Sequence, residues 1–176
     1  GVEIDVRDYK ENLILNHDPF KNGEKLENFL KAYKHGTLII NVKSEFIETK
    51  VLKLLKRYKI KKYFFLDSSY PVIFDFIKKR IRDFAIRISD YESISNAFKI
   101  YPKFKWIWLE IFNGLYLSKK EISFLRKKNI KVCLVSPELH NKKNFNKVKK
   151  WIKRKKIKIS AVCTKKEFLN NWIKEL

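Results

Sequence analysis

Glycine and cysteine are both scarce in this chain of 176 residues, which has four glycines and two cysteines. The sequence contains no G-x-G-x-x-G dinucleotide fingerprint and no P-loop, which weakens a Rossmann-type interpretation. Two thiols are too few for the disulfide framework of a small secreted domain, and Cys133 and Cys163 each lie inside an apolar run. We expect both to be buried and reduced, and we expect a cytoplasmic location.

Long apolar runs are also missing. Purely apolar stretches such as 38–40 and 64–66 are only a few residues long, far shorter than the ~18 residues that a membrane-spanning helix needs. We therefore expect no transmembrane segment. No signal peptide precedes the strand-like run that begins at Val2, and because the chain opens so abruptly we expect its natural beginning to lie further upstream.

Acidic residues are few relative to basic ones. Lys and Arg number 41 against 19 Asp and Glu, which gives a formal charge of +22, yet 45% of the chain is hydrophobic and a disordered basic tail is excluded. The lysines are spread over nearly every helix-like stretch, as an AT-rich genome produces, and no helix-turn-helix, zinc-finger or RRM signature accompanies them. The composition thus argues against a dedicated nucleic-acid surface. The densest run, 142–158, includes Trp151 and remains a candidate patch for a polyanion such as nucleic acid or an anionic glycan.

The chain repeats a strand followed by a helix. The predicted strands are 2–6, 13–15, 37–43, 62–67, 84–88, 105–112, 130–136 and 159–163. The predicted helices are 45–58, 71–79, 91–100, 118–128, 144–155 and 165–174. Pro71 suits a first helical turn, and Ser118 with Glu121 has the form of a capping box.

The predicted strands are apolar throughout rather than alternating, which is typical of a parallel sheet covered on both faces. A doubly wound open sheet and a closed barrel both satisfy this pattern. The opening pair of strands, counted as one unit, and the six strand–helix pairs that follow make seven units. We therefore predict a single α/β domain over residues 1–176, a (β/α)8 barrel of the TIM type whose first unit lies before Gly1.

Polar residues gather where the predicted strands end, which is where such barrels place their chemistry. Glu3 and Asp5 carry the sharpest signal, because residues two apart on a strand point the same way and two neighbouring carboxylates repel unless a cation offsets their charge. Such an oxygen pair suits Mg²⁺ or Ca²⁺ better than zinc. An exposed edge strand with an acidic solvent face is the plainer alternative.

Two further positions belong to the same predicted cavity. His17 precedes Asp18 and Pro19 in the loop after the first strand, and histidine is the natural acid or base near neutral pH. A lysine such as Lys43, two residues after Asn41, indicates a negative charge in the cavity, and phosphate is the commonest one in this fold. The plainer alternatives are a simple turn at His17 and a pair between Lys43 and Glu45.

The run Gly1-Val-Glu-Ile-Asp-Val-Arg7, followed by Leu13-Ile-Leu-Asn-His-Asp-Pro19, resembles the glycerophosphodiester phosphodiesterase family, within the group that includes phosphatidylinositol-specific phospholipase C. The resemblance implies that Glu3 and Asp5 bind a divalent metal, Mg²⁺ or Ca²⁺, and that His17 is one of two catalytic histidines. Asn41-Val-Lys43 looks like the family's E-x-K strand with its Glu replaced, which implies that Lys43 contacts phosphate.

Two departures from that family affect what we expect. Its first catalytic histidine lies in a His-Arg pair on a strand upstream of E-x-D, and this chain begins after that position. Asn41 offers a neutral oxygen where the family has a carboxylate, so we expect Glu110 or Glu45 to compensate, with Arg7 and Arg87 as weaker phosphate contacts. The prediction is metal-dependent hydrolysis of a small phosphodiester. The alternative is a degenerate barrel that binds polyanions.

Overall fold

Nine strands and seven α-helices are seen in the computed structural model, which describes residues 1–114, 117–127, 129–142 and 144–173. The strands are β1 Val2–Tyr9, β2 Asn12–Leu15, β3 Glu24–Lys25, β4 Leu38–Val42, β5 Tyr63–Leu66, β6 Ala85–Ile88, β7 Trp106–Leu109, β8 Lys131–Val135 and β9 Ala161–Cys163. The helices are α1 Leu26–Ala32, α2 Glu48–Arg57, α3 Tyr70–Lys78, α4 Ser95–Ile100, α5 Lys119–Leu125, α6 Phe145–Lys155 and α7 Asn170–Ile173. The chain divides within β6 into two compact units, Gly1–Ala85 and Ile86–Leu176.

The first unit is built on a mixed sheet with strand order β3-β2-β1-β4-β5. β1, β4 and β5 are parallel neighbours, whereas β2 folds back as an antiparallel hairpin on residues 6–9 of β1. Its core includes an aromatic cluster in which the Phe65 and Phe76 ring centroids lie 5.3 Å apart and those of Phe76 and Phe84 lie 5.8 Å apart. All three rings are buried, so this cluster is a main source of apolar stabilisation in the unit.

The second unit contains a four-stranded sheet with order β6-β7-β8-β9, in which β7, β8 and β9 are parallel. Every residue of β7 is buried, as a strand covered on both faces requires. The amphipathic helix α6 buries Val148 and Ile152 and exposes lysines on its other side. Cys133 in β8 is buried and Cys163 in β9 is half-buried, both as thiols, so the predicted burial is correct for Cys133 and only partial for Cys163.

The predicted closed barrel is wrong. The described strands form two separate sheets. The strand beside β1 is the antiparallel β2, with β3 beyond it at the edge, where a barrel would continue with a parallel strand. The period of the apolar runs establishes that strands are buried and followed by helices. Closure depends in addition on the tilt and stagger of the complete strand set, which that local period does not encode.

The alternation of strands and helices is confirmed, with boundaries shifted by a few residues. The helices α2, α3, α5 and α6 fall within or close to their predicted ranges, and Pro71 lies in the first turn of α3 as expected. Lys128 and Lys174, the predicted ends of two helices, lie outside the described residues. Sequence reasoning missed α1. No helix in the described ranges is long and apolar enough to cross a membrane.

The capping box at the start of α5 is confirmed. The Ser118 hydroxyl accepts a hydrogen bond from the Glu121 backbone N–H at 3.3 Å, and the Glu121 carboxylate accepts one from the Ser118 backbone N–H at 2.7 Å. We expect Ser118→Ala to lower the free energy of unfolding by about 1 kcal/mol, because it leaves a helix N–H without its acceptor. Urea unfolding measures this. Ser123→Ala, at an exposed position within the same helix, is the matched control, and an equal loss there would contradict the capping role.

Candidate functional site

Predicted polar residues lie within β1 and at the end of β4 in the first unit. Asp5 of β1 lies directly opposite Asn41 of β4, and Glu3 lies opposite Ile39. Because side chains at paired positions of neighbouring strands share a face, Glu3, Asp5 and Asn41 project from the same side of the sheet. The in-register pairing of β1 with β4 therefore assembles these three predicted oxygen donors.

Lys43, immediately after β4, lies between two carboxylates. Its Nζ is 3.4 Å from Asp5 Oδ1 and 4.0 Å from Asp67 Oδ2, and all three side chains are mostly buried. Asp67 follows β5 with φ at 60°, a left-handed conformation that aspartate tolerates better than most residues. The ammonium group thus partly neutralises a concentration of negative charge at this edge. The plainer alternative, a pair between Lys43 and Glu45, is not among the ion pairs of the described residues, where Lys43 contacts Asp5 and Asp67 instead.

Glu3 is the most perturbed carboxyl group of this cluster. Burial raises its pKa most, and the negative charges of Asp5 and Asp67 raise it further, whereas a hydrogen bond from the Asn41 side chain and the Lys43 charge oppose the rise. The net effect is a raised pKa. The Asn41 Oδ1 atom is itself buried and has no hydrogen-bond partner among the described residues. An acceptor without a donor in a buried position is costly, and a cation would relieve that cost.

The donor set fits a hard divalent cation. Mg²⁺ is commonly held by one or two carboxylates, with water and substrate phosphate completing its shell, and Glu3, Asp5 and the Asn41 oxygen are donors of that class. The described part of the chain contains no group of three His, Cys, Asp or Glu side chains placed to hold a metal. A cation here would therefore use two carboxylates and one amide oxygen, a weaker set than three acidic ligands.

The loop after β2, which carries His17, begins beside Asp5 of β1. The backbone N–H of Asn16 donates to the Asp5 carbonyl oxygen at 3.2 Å, so His17 is one residue away from this strand contact. The His17 side chain is 73% exposed, and its Nδ1 lies 3.1 Å from Asp18 Oδ1. Hydrogen bonds from Lys21 and then His17 lower the pKa of Asp18 to about 2, so Asp18 is ionised at neutral pH and orients the imidazole.

Arg7 donates hydrogen bonds to two backbone carbonyl groups. Its guanidinium donates from Nε to the Asn16 carbonyl at 3.3 Å and from Nη2 to the Lys43 carbonyl at 3.2 Å. These two hydrogen bonds connect the loop that contains His17 to the end of β4. Arg7 therefore positions His17 and Lys43 relative to each other, a role that its place on the strand alone did not suggest.

Glu110 and Arg87, the other predicted site residues, lie together in the second unit. Arg87 Nη1 is 2.5 Å from Glu110 Oε2, and Arg87 Nε is 3.6 Å from Glu92 Oε1. Glu110 Oε1 also lies 3.1 Å from His140 Nε2, although the two atoms are not in hydrogen-bonding geometry. Glu110 is buried, and the Arg87 guanidinium compensates its charge.

The chain matches no family model, no curated protein and no solved structure. The site is therefore interpreted from its own geometry. Sequence reasoning anticipated neither the contact of Asp67 with Lys43 nor the approach of His140 to Glu110. Both residues follow a strand, Asp67 after β5 and His140 after β8. That position was the available signal, because the ends of parallel strands in one sheet lie close together however far apart they are in sequence.

We expect Glu3→Gln to stabilise the fold at pH 7 by on the order of 1 kcal/mol, the usual scale for relieving strain at a functional site. A raised pKa in the folded state means that the folded protein binds the proton more tightly, so stability is lost as pH rises from the ordinary value of 4.5 through the folded pKa. The glutamine removes that dependence. Thermal unfolding at pH 7 and pH 4.5 measures it, and the two proteins should differ more at pH 7. If Glu3→Gln is less stable than the wild-type protein at pH 7, the ionised Glu3 carboxylate does not destabilise the fold.

Proposed function

We propose that the polar edge of the first unit binds a divalent cation, Mg²⁺ or Ca²⁺, and hydrolyses a small phosphodiester. The observation that carries the proposal is the buried Asn41 Oδ1, which has no hydrogen-bond partner among the described residues and shares a face with the carboxylates of Glu3 and Asp5. The Lys43 ammonium group provides a fixed positive charge beside Asp5. Oxygen ligands beside a fixed ammonium suit a ligand that carries phosphate.

Glu3, Asp5 and Asn41 would hold the cation. When bound, the cation neutralises the charge of the phosphodiester and stabilises the charge that builds on its oxygens during attack. Lys43 Nζ would donate a hydrogen bond to a non-bridging phosphate oxygen, exchanging part of its interaction with Asp5 and Asp67 for the substrate. The mutual repulsion of those carboxylates is then balanced by the cation.

His17 would transfer the proton. Because the ionised Asp18 lies against Nδ1, the favoured tautomer carries its proton there, and Nε2 is the atom that can accept a proton from the attacking oxygen or return one to the leaving oxygen. The exposure of the ring gives substrate and water access to Nε2.

The choice of substrate rests on the resemblance of Glu3-x-Asp5 and His17-Asp18 to the motifs of glycerophosphodiester phosphodiesterases. The charge of +22 supports it in a general way, because a cationic protein attracts anionic substrates and raises their rate of encounter. A glycerophosphodiester is therefore the first substrate class to test, followed by glycan phosphodiesters.

Calorimetric titration of Mg²⁺, Ca²⁺ and Mn²⁺ tests the cation site, and release of alcohol from glycerophosphodiesters tests the reaction. We expect saturable binding by the wild-type protein that Asp5→Asn abolishes. Asp8→Asn is the matched control, since it removes the same charge from an exposed position on the same strand. Absence of cation binding in the wild-type protein, or hydrolysis that persists unchanged in EDTA, would overturn the proposal.

A further inference from the structure

A recess in the second unit lies between helix α6 and the segment that follows β7. It encloses about 480 Å³, a volume typical of sites for small organic ligands. Val148 and Ile111 contribute apolar surface. The other residues that define its chemistry are Asn113, Asn144, Lys147, Lys150, Trp151 and Arg154.

The recess combines an aromatic ring with cations. Lys147, Trp151 and Arg154 follow the i, i+4, i+7 spacing that places residues on one helix face, and the Trp151 ring is only half-buried. No carboxylate among the described residues forms an ion pair with Lys147, Lys150 or Arg154. The sequence has no acidic residue between Glu138 and Glu167. The positive charge around the ring is therefore not neutralised locally.

The dipole of helix α6 favours some of these cations but not all of them. Cations in the last turn of α6 interact favourably with the negative end of the helix dipole, which accounts for Arg154. Lys147 lies in the first turn, where the dipole is positive and where no acidic residue is present. A cation at that position is unfavourable in isolation, so an anion bound near it would relieve the repulsion.

Carboxamides supply hydrogen-bonding groups at the recess. The Asn144 Oδ1 atom is buried without a hydrogen-bond partner in the described part of the chain. Asn113 is held in place, because its Nδ2 donates to the Tyr91 hydroxyl at 3.0 Å and its Oδ1 accepts from Lys142 Nζ at 3.2 Å. Amides can recognise the edges of nucleobases, whereas a lipid surface offers them no equivalent partner.

We propose that this recess binds single-stranded nucleic acid, with one base stacked on Trp151 and the adjoining phosphates paired with Lys147, Lys150 and Arg154. Stacking on an aromatic ring within a basic groove is the usual mode for single strands. The tryptophan lies inside a recess rather than projecting from the surface, which favours a base over insertion into a membrane. This site is separate from the proposed hydrolytic site, and it does not depend on hydrolysis.

Fluorescence anisotropy with a labelled oligothymidylate of ten nucleotides tests the proposal. With about three phosphate contacts, log K should fall with log [salt] with a slope of about −2, and Lys150→Glu/Arg154→Glu should reduce the magnitude of that slope by about 1.4. Lys61→Glu/Lys62→Glu is the matched control, because it changes the charge equally at exposed positions of the first unit. We expect the control to retain most of the affinity.

Trp151→Ala should weaken binding by about 5- to 140-fold, the effect of losing one stacked base. Trp151→Phe keeps a ring and should lose less, which separates loss of stacking from loss of folding, and circular dichroism of both variants checks the fold. Equal losses in the recess variant and the lysine control would show diffuse attraction and overturn the proposal. So would undetectable binding at low salt, equally tight binding of thymidine monophosphate, or binding to phosphatidylserine vesicles without binding to the oligonucleotide.

Discussion

Replacing Lys43 by methionine is expected to lower kcat/KM for a phosphodiester by about 10²- to 10³-fold, the usual loss when one fixed donor to a developing oxyanion is removed. Lys43 Nζ is within 3.4 Å of Asp5 Oδ1, so its position is set by the same carboxylate that would hold the cation. Methionine keeps a flexible, unbranched side chain only one atom shorter than lysine and removes the charge.

The same variant should bind Mg²⁺ more tightly than the wild-type protein. Lys43 lies beside the Asp5 carboxylate and repels a second cation, so replacing it with a neutral residue removes a positive charge that competes with the metal. We therefore expect opposite changes, with metal affinity rising and hydrolysis falling. A merely destabilised site would lose both.

Steady-state kinetics and calorimetry on the same preparations measure these two effects. Lys62→Met, at an exposed position just before β5, is the matched control and should leave both unchanged. Lys43→Arg should recover only part of the activity, because the planar guanidinium places its donors differently from an ammonium group. Hydrolysis by Lys43→Met within about threefold of the wild-type rate would remove Lys43 from the proposed mechanism.

Replacing Glu138 by alanine is expected to destabilise the second unit by about 3 kcal/mol, taking about 1 kcal/mol for each of three hydrogen bonds to its buried carboxylate. The donors are the Ser136 hydroxyl, the Thr164 hydroxyl at 2.6 Å and the Lys165 backbone N–H at 3.1 Å. The Trp172 indole N–H also donates to Ser136 Oγ at 2.8 Å, so the network connects α7 to the end of β8.

The pH dependence of stability separates the contribution of the Glu138 charge from the contribution of the size and shape of its side chain. Burial would raise the pKa of Glu138, but hydrogen bonds from Ser136, Thr164 and Lys165 outweigh it, and the pKa is lowered from 4.5. The contribution of a group with a lowered pKa is present above its ordinary value and is lost as pH falls through the folded value. The difference in stability between the wild-type protein and Glu138→Gln should therefore shrink progressively below pH 4.5.

Urea unfolding monitored by tryptophan fluorescence measures this effect, since all four tryptophans lie in the second unit. Glu167→Ala, which removes an exposed carboxylate nearby in sequence, is the matched control and should change stability by less than about 0.5 kcal/mol. A pH-independent difference between the wild-type protein and Glu138→Gln would show that the charge contributes nothing.

The candidate site was largely predictable because it depends on local geometry. Glu3 and Asp5 are two residues apart on a strand, and Asn41 and Lys43 follow the same rule at the end of a neighbouring strand. Their convergence required only that the strands be parallel and in register. The contact of Asp67 with Lys43 depends on where β5 joins the sheet, which sequence spacing does not specify.

Residues only a few positions apart specify the alternation of strands and helices and the capping of α5, and the composition alone accounts for the excess of positive charge. The arrangement of the strands in two sheets rather than a barrel, and the choice of partner for each charge, depend on contacts between residues far apart in the chain. Arg87 and Glu110, for example, are 23 residues apart and pair because β6 and β7 are neighbours. Strand order and sheet closure arise from long-range packing, and no local pattern of residues encodes them.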